Sequence, residues 1–191
     1  GGDDVLIGGK GDDTLAGGAG RDTYIIAKGE GTDTIIDTDA GADKSNFVFG
    51  EGVRSEDITL RLGSLLLDLG GGDAVHIEGF DRTRPLDNEL GSFSFADGST
   101  MSWNELLARG FDLDGTAGDD TIFGTGIEDR IDGKAGNDLI WGSNGNDVLT
   151  GGTGTDGLNG GLGNDVYVFS AGDAATMDGT ATGVAETLAE E

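Results

Sequence analysis

The chain has 191 residues, with 37 Asp plus Glu against 11 Lys plus Arg, and a formal net charge of -26. A surface this acidic repels phosphate backbones, which excludes nucleic acid as a partner. There is no Cys for disulfides or thiolate metal sites. No apolar run approaches the roughly 18 residues of a membrane-spanning helix, so we expect no membrane span. A disordered acidic chain is the alternative interpretation, but regularly phased aspartates disfavour it.

Residues 1–36 form a first predicted segment of nine-residue units. GGKGDDTLA begins at Gly8, GGAGRDTYI at Gly17 and KGEGTDTII at Lys28, and the chain opens in mid-unit, as expected of a fragment. The sixth place of each unit holds an aspartate: Asp4, Asp13, Asp22 and Asp33. An insertion at Ile26-Ala27 lengthens the last step and predicts that the stack of units breaks there.

Residues 37–111 carry no such unit. Short alternating runs predict strands at 47–49, 58–62, 65–69, 74–78 and 92–95, with a hairpin turn at Gly63-Ser64 and loops at 37–46 and 82–89. Ser102 and Glu105 have the spacing of a capping box, which predicts a short helix over 103–109. We expect a small antiparallel β unit with one helix.

Residues 112–170 contain six consecutive units that begin at Gly115, and residues 171–191 form a predicted flexible acidic tail. The units are GTAGDDTIF, GTGIEDRID, GKAGNDLIW, GSNGNDVLT, GGTGTDGLN and GGLGNDVYV. The sixth place always holds Asp, and the eighth is always apolar. The end of the last unit, Asp165–Phe169, matches Asp22–Ile26 at an offset of 143 residues.

A nine-residue period divides into a six-residue Gly-rich turn and a three-residue strand. Side chains alternate along a strand, so the eighth place points inward while the seventh and ninth point outward. Two units then make one 18-residue coil of a parallel β-roll. The predicted fold class is all-β, with two parallel β-roll blocks (a β-solenoid) flanking the antiparallel unit. Each unit buries about one Leu or Ile, which stabilises the fold by roughly 1.5–3 kcal/mol. This gain is small and the stacked aspartates repel one another, so we expect a cation to neutralise them.

Calcium suits these turns because it takes six to eight hard oxygen ligands in flexible geometry, whereas magnesium needs a near-ideal octahedron. Carbonyls alternate direction along an extended turn, so an ion between turns one coil apart can bind both. We expect about six Ca²⁺ ions, about four of them in the second block. Ile127 and Glu128 replace the usual small residues of the turn before Asp129, so we expect that turn to be strained or to bind calcium weakly. Arg21 places a positive charge in a turn of the first block. We expect the best calcium sites within Gly133–Asp165.

The candidate metal ligands are the turn residues of both blocks. They are Asp4, Gly8, Gly9, Gly11, Asp12, Asp13, Gly17, Gly18, Gly20, Asp22, Asp33, Gly115, Ala117, Asp119, Asp120, Gly124, Gly126, Asp129, Gly133, Lys134, Ala135, Gly136, Asn137, Asp138, Gly142, Ser143, Asn144, Gly145, Asn146, Asp147, Gly151, Gly152, Thr153, Gly154, Asp156, Gly160, Gly161, Gly163 and Asp165.

The units resemble RTX (haemolysin-type) calcium-binding repeats. FVFGEGVRSEDITLRL, AVHIEGF and FSFADGSTMSWNELLARG between the blocks resemble the haemolysin-type calcium-binding related domain. The resemblance implies export through the type I secretion machinery as an unfolded chain, folding in external calcium, and an extracellular or cell-surface location. Neighbouring RTX modules are possible partners.

We expect no catalytic residues. His76 is the single histidine, on a predicted strand, and the HExxH and GxSxG motifs are absent.

Two alternative functions stay open. One is an extracellular polysaccharide-binding module, similar to those of alginate epimerases or adhesins, for which outward Trp141 beside Arg130 and Lys134 is the hint. The other is a surface-layer or filament subunit, because the ends of a β-roll are open edges.

Overall fold

The computed structural model describes residues 1–37, 44–61, 65–86, 90–169, 174–177 and 187–188. The chain forms two compact units, which are described separately. The first contains Gly1–Asp81 and Pro85–Arg109, and the second contains Arg82–Arg84 and Gly110–Glu191. Nearly all regular structure is β-strand, which confirms the predicted all-β class. No helix among the described residues is long and apolar enough to span a membrane.

The described residues of the first unit form ten strands, a 3₁₀ turn at Ser55–Asp57 and one α-helix. The strands are β1 (Val5–Ile7), β2 (Thr14–Ala16), β3 (Thr23–Ile26), β4 (Thr32–Ile36), β5 (Asn46–Phe49), β6 (Thr59–Arg61), β7 (Leu65–Gly70), β8 (Asp73–Ile77), β9 (Ser92–Phe95) and β10 (Thr100–Ser102), followed by helix α1 (Trp103–Leu107).

The parallel ladders of the first block continue through the middle of the chain. On one face β1, β3, β5 and β9 pair in parallel, and on the other β2, β4 and β8 do so. We expected antiparallel pairing throughout the segment 37–111, but its described residues include both kinds: β6–β7–β8 and β9–β10 pair antiparallel, while β5, β8 and β9 also pair in parallel. The reason is that β5, β8 and β9 carry the same inward alternation as the repeats and extend their core. The four segments were defined by where the nine-residue repeat occurs in the sequence. In the structure, the first two of them belong to one compact unit.

The two-residue insertion does not break the stack, contrary to the prediction. Ile26 extends β3 to four residues, and Thr14 pairs with Thr34, so this coil has 20 residues rather than 18. Ile26 thus lies in the strand and Ala27 follows it, and the parallel register is kept on both sides of the insertion.

An aromatic ladder fills the core of the first unit. Tyr24, Phe47 and Phe93 stack on successive strands with ring centroids 5.5 and 5.2 Å apart, and Trp103 of α1 lies 6.3 Å from Phe93. The capping box is confirmed, since Ser102 Oγ accepts the Glu105 N–H and Glu105 accepts the Ser102 N–H. The helix ends earlier than predicted, with Ala108 as its C-cap.

The second unit is a regular two-faced coil. Its strands are β11 (Phe111–Asp114), β12 (Thr121–Phe123), β13 (Asp129–Asp132), β14 (Leu139–Asn144), β15 (Val148–Thr150), β16 (Thr155–Leu162), β17 (Val166–Phe169), β18 (Ala174–Met177) and β19 (Thr187–Leu188).

Odd and even strands of the second unit form separate parallel sheets. One sheet runs β11–β13–β15–β17–β19 and the other β12–β14–β16–β18. Ile122 pairs with Ile140 and Ile131 with Leu149, which is the predicted 18-residue coil. Eighth-place residues form the core, as predicted: those from Ile131 to Tyr167 are buried, and Ile122 in the first coil is half-buried.

Several expectations fall partly outside the described residues. Residues 38–43 and 87–89 of the predicted loops, and the Gly63-Ser64 turn, lie there. So does most of the predicted tail, in which β18 and β19 are described.

Candidate metal centre

The sixth-place aspartates form a ladder along the turns of each unit. One carboxylate oxygen, Oδ1, accepts the backbone N–H of the aspartate one coil earlier. Asp138 accepts from Asp120 at 2.8 Å, and Asp147 accepts from Asp129 at 2.9 Å. Asp156 and Asp165 continue the ladder at 2.9 and 3.1 Å. In the first unit Asp22 and Asp33 accept from Asp4 and Asp13 at 2.9 and 3.1 Å.

The second oxygen, Oδ2, has the opposite surroundings. Six such atoms among the described residues are buried and have no hydrogen-bond partner: those of Asp13, Asp22, Asp138, Asp147, Asp156 and Asp165. Asp138 and Asp147 are fully buried as residues. An unsatisfied buried carboxylate oxygen is costly, so a cation that occupied the space beside it would stabilise the fold.

The glycine at the first place of the turn has no side chain, so two oxygen atoms can approach it closely. A Cβ on Gly133 would lie 2.5 Å from Asp138 Oδ2 and 2.6 Å from the carbonyl oxygen of Gly151, one coil later. Gly142 is arranged in the same way, between Asp147 Oδ2 and the Gly160 carbonyl. A carboxylate of one turn and a main-chain carbonyl of the next therefore converge where a side chain would otherwise be.

The donor set fits calcium better than a metal that prefers nitrogen or sulfur. No group of three or more His, Cys, Asp or Glu side chains that could hold a metal is found among the described residues. An ion between the turns would thus take one or two carboxylate oxygens and complete its shell with carbonyls, and calcium accepts such mixed oxygen ligands. Asp138 and Asp147, with Gly151 and Gly160, are the residues that would hold it in the second unit.

Burial changes the acidity of these carboxylates. It raises the pKa of Asp147 to about 7, an effect that the hydrogen bond from the Asp129 N–H partly offsets. The pKa values of Asp138 and Asp33 are raised for the same reason. Burial raises the pKa of Asp129 to about 6, against the lowering effect of hydrogen bonds from Thr125. Burial therefore disfavours the charged form of these carboxylates, and a cation held beside them would favour it.

Two turns of the second unit differ from the rest. Thr116 donates to Asp120 Oδ2 from its N–H at 2.6 Å and from its hydroxyl at 3.0 Å. Thr125 donates in the same way to Asp129 Oδ2, at 2.7 and 3.1 Å. These aspartates are therefore satisfied within their own turns.

Comparison with protein-family models identifies the repeats. The model described as the RTX calcium-binding nonapeptide repeat matches four times, at residues 1–25, 112–140, 123–158 and 141–173. The chain carries RTX calcium-binding repeats. Comparison with curated proteins gives no match.

Among solved structures, the chain is similar to one described as the extracellular lipase LipA from Serratia marcescens. The identity is 20% and the TM-score 0.38, over 94% of this chain and 31% of the lipase. The chain thus spans about a third of that protein's length.

The fifth place of the RTX turns forms a second ladder, which sequence reasoning assigned to metal binding alone. Asp119 Oδ1 accepts the Asn137 N–H at 2.7 Å, Asn137 Oδ1 accepts the Thr155 N–H at 3.1 Å, and Asn146 Oδ1 accepts the Asn164 N–H at 2.9 Å. These side chains reach one coil forward, whereas the sixth-place aspartates reach one coil back. The recurrence of Asp and Asn at this place is the signal that could have revealed it.

The ends of the first RTX block depart from the regular sites. Asp4 is largely exposed and lies 3.8 Å from the terminal amine of Gly1. At the other end Asp73, outside any repeat, accepts the N–H groups of Gly29 and Gly31 at 2.8 and 3.1 Å, which lowers its pKa. Sequence reasoning missed Asp73 because nothing local links it to a turn 42 residues earlier.

Arg130 and Lys134, predicted to lie beside Trp141, form ion pairs with aspartates. Arg130 pairs with Asp112, and Lys134 lies 2.9 and 2.7 Å from Asp114 and Asp132. Trp141 instead stacks on Phe123, with centroids 4.7 Å apart, because the ninth places of alternate units lie on neighbouring strands.

Proposed function

We propose that this chain is a calcium-binding structural module of a secreted RTX protein, and that it folds when it binds Ca²⁺. The observation that carries the proposal is the set of six buried, unpartnered Oδ2 atoms, each beside a Gly-rich turn. Bound calcium supplies the positive charge and oxygen coordination that these atoms lack.

The charge of the chain supports a switch between two environments. At low calcium the stacked carboxylates repel one another and their burial disfavours the fold. Near-millimolar calcium outside a cell favours the folded state by mass action, through every site at once. This behaviour suits export of an unfolded chain by a type I secretion system, and the module then serves a structural role with no catalysis of its own.

The test is a calcium titration followed by circular dichroism and urea unfolding, from excess EDTA to about 10 mM calcium. We expect strand content and the urea midpoint to rise steeply with calcium, and to rise far less with the same concentration of magnesium. Equal strand content and equal urea midpoints in EDTA and calcium would contradict the proposal.

A second candidate function, polysaccharide binding, rests on a surface of the second unit. Phe123 is 42% exposed, stacks on half-buried Trp141, and carries the Arg82 guanidinium 5.4 Å from its ring centroid. Aromatic rings beside a cation can bind sugar rings that carry carboxylates. Glycan-array binding in calcium that disappears in Trp141→Ala would support this function, and equal binding by both proteins would oppose it.

A further inference from the structure

The turns of the second unit fall into two classes, which differ in the backbone conformation of the residue at the second place. Lys134, Ser143, Gly152 and Gly161 all have positive φ, between 75° and 94°. Thr116 and Thr125, at the same place in the first two turns of the block, are outside this positive-φ set. The fourth place follows the division, because Gly136, Gly145, Gly154 and Gly163 have φ near 137° whereas Gly118 and Ile127 do not have positive φ.

Threonine accounts for the difference through its branched Cβ. A left-handed backbone is costly for any residue with a Cβ and most costly for a β-branched one. The threonine turns instead close on themselves. Thr116 Oγ1 accepts the Gly118 N–H at 3.2 Å, and Thr125 Oγ1 accepts the Ile127 N–H at 3.3 Å. This local hydroxyl turn brings the threonine N–H and O–H onto the aspartate Oδ2.

The two conformations leave the aspartate in different states. In the four positive-φ turns Oδ2 is buried without a partner, and in the two threonine turns it accepts two hydrogen bonds. We propose that threonine at the second place takes over the role of the ion, so that the Gly115–Asp120 and Gly124–Asp129 turns are self-capped and bind no calcium. This rests on the proposed function and corrects the expectation that all six turns supply metal ligands.

The surroundings of the first-place glycine do not explain why the threonine turns differ from the positive-φ turns. A Cβ on Gly115 would lie 2.5 Å from the Gly133 carbonyl and 2.9 Å from Asp120 Oδ2, so the facing carbonyl is present there as well. This turn differs because Thr116 already donates two hydrogen bonds to the Asp120 carboxylate. Removal of the threonine side chain would therefore release a site whose other elements are in place.

Thr116→Gly is the cleaner change of the two. Its fourth-place residue is Gly118, which can adopt positive φ without strain. In the next turn Ile127 stands at that place, so Thr125→Gly would have to be combined with Ile127→Gly.

Ser143 offers the reverse change with a single methyl group. It holds φ 87° and its side chain is exposed. Ser143→Thr keeps the hydroxyl but disfavours that backbone conformation, and we expect the turn to close on Asp147 Oδ2. Ser143→Gly is the matched control, because glycine keeps the positive φ and the main-chain carbonyl of the wild-type turn and removes only an exposed side chain.

The experiment is equilibrium dialysis of the full chain against radioactive calcium, with circular dichroism to verify folding of each variant. At saturation we expect Thr116→Gly to bind about one ion more than wild type, Ser143→Thr about one fewer, and Ser143→Gly the same number.

Equal stoichiometry in wild type and Thr116→Gly would overturn the inference, as would a folded Ser143→Thr protein that binds the wild-type number of ions. If Ser143→Thr fails to fold in calcium, the Thr116→Gly result decides. A wild-type chain that binds no calcium would refute the proposed function itself. A calcium-folded wild type with unchanged variants would refute this inference alone.

Discussion

At the scale of single residues, five sixth-place aspartates combine two roles in one side chain: Asp22, Asp138, Asp147, Asp156 and Asp165. Oδ1 completes a hydrogen bond to the neighbouring coil, and Oδ2 is held in a buried position without a partner. The first role stabilises the stack whether or not an ion is present. The second destabilises the stack unless a cation lies beside it. Under the proposed function, one residue type therefore both builds the coil and makes it depend on calcium.

Asp147→Asn should separate these two roles. Asparagine keeps an Oδ1 acceptor for the Asp129 N–H but removes the buried charge. We expect the calcium-free chain to be more stable and the calcium midpoint of folding to rise about tenfold, equivalent to ~1.4 kcal/mol. Urea unfolding with and without calcium measures both effects.

Asp119→Asn is the matched control for that variant. It removes the same charge at the exposed fifth place, where later repeats already carry Asn137 and Asn146. Its calcium midpoint should stay close to wild type. A shift as large as that of Asp147→Asn would show that net charge, rather than the buried oxygen, sets calcium dependence.

The raised pKa of Asp147, about 7, predicts how the calcium-free fold responds to pH. An unfolded aspartate has a pKa of about 3.9, so the folded state binds the proton more tightly. The stabilisation is complete below about pH 4 and is lost as the pH rises through about 7. In calcium-free buffer the urea midpoint should therefore increase from pH 8 to pH 5, and a midpoint that falls over this range would contradict the assignment.

At the scale of elements, the two units stack their strands by the same parallel pairing but fill their cores differently. The second unit places one eighth-place residue per repeat between its sheets, and this residue is aliphatic in every repeat but the last, which has Tyr167. The first continues its ladder with Phe47, Phe49, Phe93 and Phe95, on strands that carry no repeat. The larger rings bury more apolar area per strand, so we expect this core to depend less on bound ions.

Phe93→Ala should test the aromatic ladder. Phe93 is fully buried and stacks with Phe47, Phe49 and Trp103, so truncation leaves a large cavity. We expect a loss of about 3–5 kcal/mol in the free energy of unfolding of the first unit, in calcium and in EDTA alike. Phe123→Ala, at a 42% exposed position, should cost less than about 1 kcal/mol.

At the scale of the whole molecule, the six buried Oδ2 atoms without a hydrogen-bond partner among the described residues are unevenly distributed. Four of the six lie in the second unit, and the other two are Asp13 and Asp22, in the repeats of the first. Within the described part of residues 44–109 no side-chain oxygen is buried without a partner. We therefore expect the non-repeat part of the first unit to keep its structure when calcium is removed.

The chain's two tryptophans can report on the two units separately. Trp103 is 2% exposed and donates its indole N–H to the Pro85 carbonyl, whereas Trp141 stacks on Phe123 in the second unit. Trp141→Phe and Trp103→Phe each leave one probe for acrylamide quenching. Chelation should expose Trp141 and leave Trp103 protected. Loss of protection at both tryptophans with the same calcium midpoint would show that the units fold as one.

The sequence by itself determined the coil. A nine-residue period with apolar eighth places permits one arrangement of inward side chains, and the 18-residue register and β-roll class follow from it. The residue types in the turns likewise indicated calcium, because each repeat places an aspartate at a fixed distance after a glycine-rich turn and so offers carboxylate and carbonyl oxygens. Such information is local and repeated, so it can be read without coordinates.

The tertiary structure alone decided which turns are alike and where the coil ends. Whether an aspartate oxygen is free depends on a backbone angle at Thr116 or Ser143 and on carbonyls one coil away. The continuation of the parallel ladder through β5, β8 and β9, and the cap by Asp73, depend on pairing across many residues. The period specifies neighbours 18 residues apart, but it carries no information about contacts that the repeat itself does not make.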